Sequence, residues 1–474
     1  MSANYSMQAA GESYHMTSSI VGHEHSRNAA VDFLSEDPAE DSTNVVEQED
    51  VPPNGGYGWV CVACVFLINA NTWGVNSAYG VFLAFYLSHN TFPSATAIQY
   101  AFIGGLSISQ ALLVSPFITF TNRKYGIKVT MCIGLILETA ALLGASFATQ
   151  VWQLFLSQGI CFGWGMGFLY VGSAAVVPRW FSTRRSLATG ITAAGAGIGG
   201  LVYNLGTNAG IQSIGLAWTL RTLALSQLLV NTICTILLKE RPSTTKPNQL
   251  AFDYRLFGKV PILLILGWGV FSELGYVVLY YSMPDYATSI GLSSQQGAVI
   301  GALLNLGQGI GRPLVGWFSD EVGRINIASA TTALCGVFCL LIWTFAKGFS
   351  IVCFFAFMVG TVCGTYWSCV APVCGEVVGM KDLSSALIAE AIALKLRRDS
   401  GNVYLDAQMF TGAAFFVAAF CSWGVRTWKI NDVKSKRDAR IDQGDGTERT
   451  SEARSIWEQK LYSKMLTVIA PAKV

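Results

Sequence analysis

Charge is what this sequence has least of. Only 13% of its 474 residues are Asp, Glu, Lys or Arg, about half the share of an ordinary soluble domain. The shortage is uneven. Residues 1–53 hold ten acids and one base, Arg27, and residues 429–474 hold seven acids and ten bases, so only 32 charges serve the 375 residues from 54 to 428. Between Asp50 and Arg123 there is none. A soluble globule needs charge on its surface over such a length, whereas a bilayer excludes it. Other absences narrow the field. A net charge of +2 without a basic stripe leaves no nucleic-acid footprint. Histidine is scarce: of His15, His23, His25 and His89, three lie in the polar N-terminal stretch, so a buried histidine metal centre is not expected. No charged-then-apolar leader opens the chain, so no removable signal peptide is expected.

What is present is apolar and small: 52% hydrophobic residues and 48 glycines. Runs near spanning length occupy 59–87, 97–120, 129–148, 152–177, 187–208 and 213–238, then 260–283, 295–318, 328–346, 350–374 and 408–428. The chain therefore reads as an all-α polytopic membrane protein. Its expected parts are a disordered acidic cytoplasmic tail (1–53), a six-helix half (54–241), a central cytoplasmic loop (242–258), a second half (259–428) and a charged tail (429–474). All twelve cysteines sit in apolar stretches, including the pair Cys61-x-x-Cys64, where a thiol packs as a small hydrophobe.

Lys and Arg in the loops set the expected orientation. The loops after spans two and four carry Arg123, Lys124, Lys128, Arg179, Arg184 and Arg185; the central connector carries Lys239, Arg241, Lys246, Arg255 and Lys259; the loop after span eight carries Arg324. The loops after spans one, three, five and seven carry neither. The N-terminus and even-numbered loops are expected in the cytoplasm. The plasma membrane is the expected site, with the vacuolar or another internal membrane as the alternative.

Several motifs then bear on family. After span eight stands Gly316-Trp-Phe-Ser-Asp320-Glu-Val-Gly323-Arg324, and after span two a degraded copy, Thr119-Phe-Thr-Asn-Arg123-Lys-Tyr-Gly126-Ile127. Gly126 and Gly323 are 197 residues apart, a plausible half-length. The first resembles the G-x-x-x-D-x-x-G-R loop of major facilitator carriers, which implies a fold of 6+6 helices rocking about a midplane site; its acid is expected to cap a neighbouring helix N-terminus. Asn54-Gly55-Gly56-Tyr57-Gly58-Trp59 resembles the motif that opens span one in the monocarboxylate porter family, with Asn54 where that family usually has an acid. Trp180-Phe181-Ser-Thr-Arg184-Arg185 through Ala194-Gly195 resembles the same family's span-five motif, and Ser282-Met-Pro284-Asp285-Tyr286 resembles its fungal-type members. The likeness covers roughly 54–428. Gly195-Ala-Gly197-Ile-Gly-Gly200 matches G-x-G-x-x-G literally, but it lies inside a span with no acid from 186 to 238, so helix packing is the expected role. Gly159, Gly163 and Gly167 form the same kind of surface.

Ionisable groups within spans are functional candidates because the bilayer makes them expensive. Here they are Glu138, Arg221, Glu273 and Arg312. The resemblance casts Arg312 as the binder of a substrate carboxylate, a task suited to a planar, permanently charged fork. The family's proton-coupling acid would fall at Gln308, which cannot exchange a proton, and residues 55–122 contain no counterpart of its span-one lysine. Glu273 is the candidate for proton coupling instead, the alternative being a structural pair with Arg312. Arg221 lies near an outer end, where it can snorkel; Glu138 is assigned no role. Asn69, Asn71, Asn76 and Ser77 on span one, and Asn305 and Gln308 on span eight, either line a cavity or cross-link helices at about 0.6 kcal/mol each.

The eleventh span is anomalous. Only 383–396 is apolar there, and it contains Glu390 and Lys395. Fourteen residues rise about 21 Å, short of the ~30 Å hydrocarbon core. A span truncated or missing is expected, through an internal deletion or an exon lost in gene prediction, with a short or re-entrant segment keeping the C-terminal tail inside. The sequence therefore implies a membrane carrier and no enzyme, with the bilayer and a small organic anion, with or without a proton, as partners and no cofactor. Two alternatives stay open: an exporter of a fungal secondary metabolite, and a transport-dead sensor.

Overall fold

The computed structural model describes residues 54–241 (without 90, 93 and 94), 258–377 and 404–442. The expected acidic tail, the central loop up to 257 and the short segment 383–396 lie outside the described residues, as do residues 443–474 and the side chains of Pro284 and Asp285.

Eleven of the expected crossings are helical. Span one runs Tyr57–Ser88 and breaks twice, at Thr72 and Ala78. Span two begins as Ala97–Leu113; after a bend at Val114, a second helix, Ser115–Ser146, carries the chain through the loop into span three. The turn between them is a single residue, Gly126, at φ 81°. Its counterpart Gly323 has φ 119° and ends span eight. Only glycine takes such angles without strain, so the glycine shared by both copies of the loop signature marks the same turn in each half. Span four is Val151–Trp180, span five Arg185–Ile214, span six Leu216–Leu237, span seven Val260–Ser289, span eight Ser294–Val322, span nine Arg324–Phe345 and span ten Phe349–Val377. The last helix does not stop at 428 but continues from Tyr404 to Asp442.

Small residues bring these helices together. A Cβ on Gly163 or Gly167 of span four would lie 2.5 Å from the Ser107 or Ala111 carbonyl of span two. The literal G-x-G-x-x-G does the same on two sides of span five: Gly195 and Gly199 face Phe66 and Ala70 of span one, while Gly197 faces Asn305 and Gly309 of span eight. Phe117, Ile136, Phe147, Trp152, Leu229 and Phe420 are exposed on the outside of the bundle, a surface that only lipid satisfies.

Span five and span eight form the most extensive contact in the molecule and join the two halves. They run antiparallel, with Ser186 against Gly316, Gly190 against Arg312 and Gly200 against Asn305. Basic loop residues gather at one end: Arg179 pairs with Glu240 at 2.9 Å and Arg324 with Glu376 at 3.1 Å. Span twelve is antiparallel to span seven, with Cys421 against Gly267 and Phe415 against Gly275. Its Lys429 donates to the Glu376 carbonyl (2.8 Å) at the basic end. Val377 and Tyr404 are therefore at opposite ends of the bundle.

Candidate transport site

Arg312 lies near the middle of span eight and is 5% exposed. Its Nη1 donates to the Ala193 carbonyl of span five (2.7 Å) and its Nη2 to Gln308 Oε1 (2.6 Å), while Nε has no partner. The guanidinium therefore bridges the two halves while its Nε stays unpaired. Room for it comes from span ten: a Cβ on Gly364 would sit 2.5 Å from Arg312 Nε. Pro313 follows directly and removes one backbone donor from the helix ladder here.

Gln308, one turn earlier, accepts a second hydrogen bond from Tyr276 Oη (3.0 Å), and its own Nε2 is left without a partner. Asn305 meets Tyr280 Oη at 3.4 Å and donates to the Gly301 carbonyl at 3.1 Å. Tyr276 and Tyr280 stack, with centroids 5.8 Å apart. Glu273, 6% exposed, faces Arg312 and the Trp367 indole but makes no direct ion pair with the guanidinium. The static pair offered above as an alternative for Glu273 is thus not formed.

Of the expected substrate-binding residues Arg312, Gln308, Asn305 and Asn76, the first three share one face of span eight. Asn76 turns elsewhere: it accepts from Ser107 Oγ of span two at 2.8 Å. Its neighbour Ser77 is the span-one group that approaches Asn305, both lying against Gly200. Asn69 and Asn71 cross-link helices, the former donating to the Thr192 carbonyl (2.8 Å) and the latter accepting from Tyr203 Oη (2.5 Å). Below the cluster, toward the basic end, Trp73 of span one, Tyr170 of span four and Trp367 of span ten meet across the seam with centroids 5.5–6.0 Å apart, Tyr170 edge to face with both indoles and the two indoles tilted. Sequence reasoning missed Tyr276, Tyr280 and this aromatic trio. Positions 273, 276 and 280 follow helical spacing on one face, a signal that was available for the tyrosines. Nothing local marks Trp73, Tyr170 or Trp367, which meet only through tertiary packing.

The loop signature closes the basic end. Asp320 accepts from the Ser186 and Leu187 backbone N–H groups (3.1 and 2.8 Å), capping the first turn of span five from the other half. Gly316 allows this approach, since a Cβ there would lie 2.3 Å from the Ser186 carbonyl oxygen. Arg324 bridges Asp320, Glu376 and the Ser182 carbonyl. The two family-like motifs of the first half also meet. Asn54 Oδ1 accepts from the Ser182 and Thr183 N–H groups (2.6 and 2.9 Å), so an amide holds this corner without charge. Gly58 packs on Trp180 and Phe181, Trp59 stands edge-on to Phe181 at 4.9 Å, and Tyr57 Oη donates to the Leu237 carbonyl (2.6 Å). Gly56 turns the chain at φ 59°, next to Gly55. Arg221 lies away from all this, over the Phe147 and Trp218 rings at 4.4 and 5.0 Å.

A lipid-facing helical bundle in two halves, latched at one end and holding ionisable groups along its seam, defines a secondary membrane transporter. A family model described as Major Facilitator Superfamily matches residues 61–392, and the chain belongs to that superfamily. It is 33% identical over 397 residues to the Probable transporter MCH2 of Saccharomyces cerevisiae, covering 80% of this chain and 84% of that one. It is 28% identical over 422 residues to the MFS-type transporter hasB of Aspergillus fumigatus, covering 80% and 92%. Among solved structures, FucP of E. coli, a fucose:proton symporter, in its outward conformation is similar in fold, with a TM-score of 0.60 at 14% identity over 78% of this chain and 99% of that one.

Proposed function

We propose that this transporter moves a small organic anion of the monocarboxylate type by alternating access, with Arg312 as the carboxylate binder. The observation that carries this reading is the unused donor capacity at the seam: Arg312 Nε and Gln308 Nε2 are buried and unpaired, side by side on one helix face. A carboxylate accepts from such donors and would compete with the Ala193 carbonyl for the guanidinium, loosening a bond that ties the halves. Asn305 lines the same face and Asn76 supports span one behind Ser77. Glu273, opposite the arginine, is the proton carrier, since its charge and the substrate's compete for one cation. In this reading the basic end faces the cytoplasm, which puts the start of span one and the end of span twelve on that side; the plasma membrane is the proposed location.

Uptake of labelled lactate into proteoliposomes, with and without an inward proton gradient, tests this. Transport that Arg312→Ala abolishes supports the assignment. A C-terminal epitope tag labelled only after permeabilisation supports the orientation, and labelling of intact cells overturns it.

Export of a larger fungal metabolite is the second reading. It is favoured by the aromatic lining from Trp73, Tyr170 and Trp367 and by relatives such as the Aspergillus fumigatus MFS-type transporter. Efflux of such a compound without lactate uptake would select it. Correct membrane insertion without flux of any compound would favour the sensor.

A further inference from the structure

The first half buries a carboxyl that the proposed transport cycle does not use. Glu138 of span three is 1% exposed and lies against the backbone of Gly165 on span four. Asn231 of span six, fully buried, donates its Nδ2 to Glu138 Oε2 at 3.1 Å. The other oxygen of each side chain, Glu138 Oε1 and Asn231 Oδ1, is buried without any partner. No Lys, Arg or His among the described residues pairs with the carboxyl.

The surrounding donors are already committed. Tyr203 of span five, the titratable group that faces Glu138 from that side, donates to Asn71 Oδ1. Thr235 of span six donates to the Asn231 carbonyl, and Ser226 to the Leu223 carbonyl. Cys161 of span four donates to the Leu137 carbonyl. On span three itself, Lys128 reaches the Thr235 and Ile236 carbonyls at the basic end. Two facing side chains thus present two orphan acceptors that no donor reaches, a set that one added hydrogen between them would complete. Rotating the Asn231 amide by half a turn only exchanges which atoms are orphaned, and the deficit remains.

We propose that Glu138 is a proton-binding site that holds its proton throughout transport, forming a cyclic acid–amide pair with Asn231. The Glu138 O–H donates to Asn231 Oδ1 while Asn231 Nδ2 donates to Glu138 Oε2, so a single proton satisfies both orphans. The alternative, a lone carboxylate without a cation, is an expensive state within a bilayer-spanning helix. The pair ties span three to span six within one half, so rocking of the halves neither makes nor breaks it.

The test uses the intact purified transporter and its Glu138→Gln variant, whose amide can pair with Asn231 in the same cyclic form. The infrared difference between the two is expected to show the C=O stretch of a protonated carboxyl, unchanged from mildly acidic to mildly alkaline pH. A carboxylate band, or a C=O band that titrates over that range, would overturn the proposal. In proteoliposomes Glu138→Gln is expected to keep lactate uptake and its acid stimulation within about twofold. Loss of acid stimulation in this variant would show that Glu138 releases its proton in the cycle, and would equally overturn the proposal. The Glu273 reading is tested separately by Glu273→Gln, so the two assignments fail independently.

Discussion

Two buried carboxyls sit in two halves of this molecule, and their surroundings differ in kind. Glu138 is paired with one amide on a helix of its own half and meets no cation. Glu273 lies at the seam, facing a guanidinium that is itself bonded across to the other half, and beside an indole in contact with Trp73 of that half. Burial is nearly equal, so burial alone says little about role. What separates them is whether the partners move: the first carboxyl belongs to a rigid unit, the second to a set of groups that must rearrange when the halves do.

That contrast can be broken at several points. The largest effect is expected from Arg312→Ala, which removes the cation on one side of the comparison. A hydrogen bond to a charged group contributes about 1.5–3 kcal/mol, so lactate uptake should fall at least about tenfold, with Arg312→Lys restoring only part because the planar fork is lost. Next, Glu273→Gln should keep substrate exchange but lose its acceleration by an inward proton gradient, because a protonatable group at the seam becomes a fixed neutral one; counterflow and gradient-driven uptake measured side by side separate the two. Gly364→Ala is a finer probe. Its Cβ displaces the guanidinium rather than deleting it, so KM for lactate should rise by several-fold, within the ~1–2 kcal/mol of a displaced hydrogen bond, with little change in expression. Asp320→Asn weakens the cap on span five, worth about 0.3–1 kcal/mol, and should raise thiol-labelling of a cysteine placed at Ser186 from the basic end. Glu138→Gln should change least of all.

Much of this architecture was legible in composition. The uncharged stretch, the spacing of apolar runs and the clustering of Arg123, Lys124, Arg179, Arg184, Lys239 and Arg324 are period and charge signals that need no tertiary information. Asp320 was legible as a helix cap because its loop signature names the chemistry, although the helix it caps, span five, became known only from packing. Arg312 and Glu273 stood out because charge within a span is rare. Asn76 shows the limit: an amide in a polar span signals a partner without saying which one, and here the partner is Ser107 on span two. The aromatic trio and Gly364 were invisible for a related reason, since Trp, Tyr and Gly are common in spans and acquire meaning only from what lies opposite.

The proposed role of Arg312 as carboxylate binder is tested by labelled lactate uptake into wild-type and Arg312→Ala proteoliposomes with equal amounts of inserted protein. Saturable uptake is expected in the wild type, with a loss of at least about tenfold in the variant. Uptake by Arg312→Ala with unchanged KM and rate would contradict it.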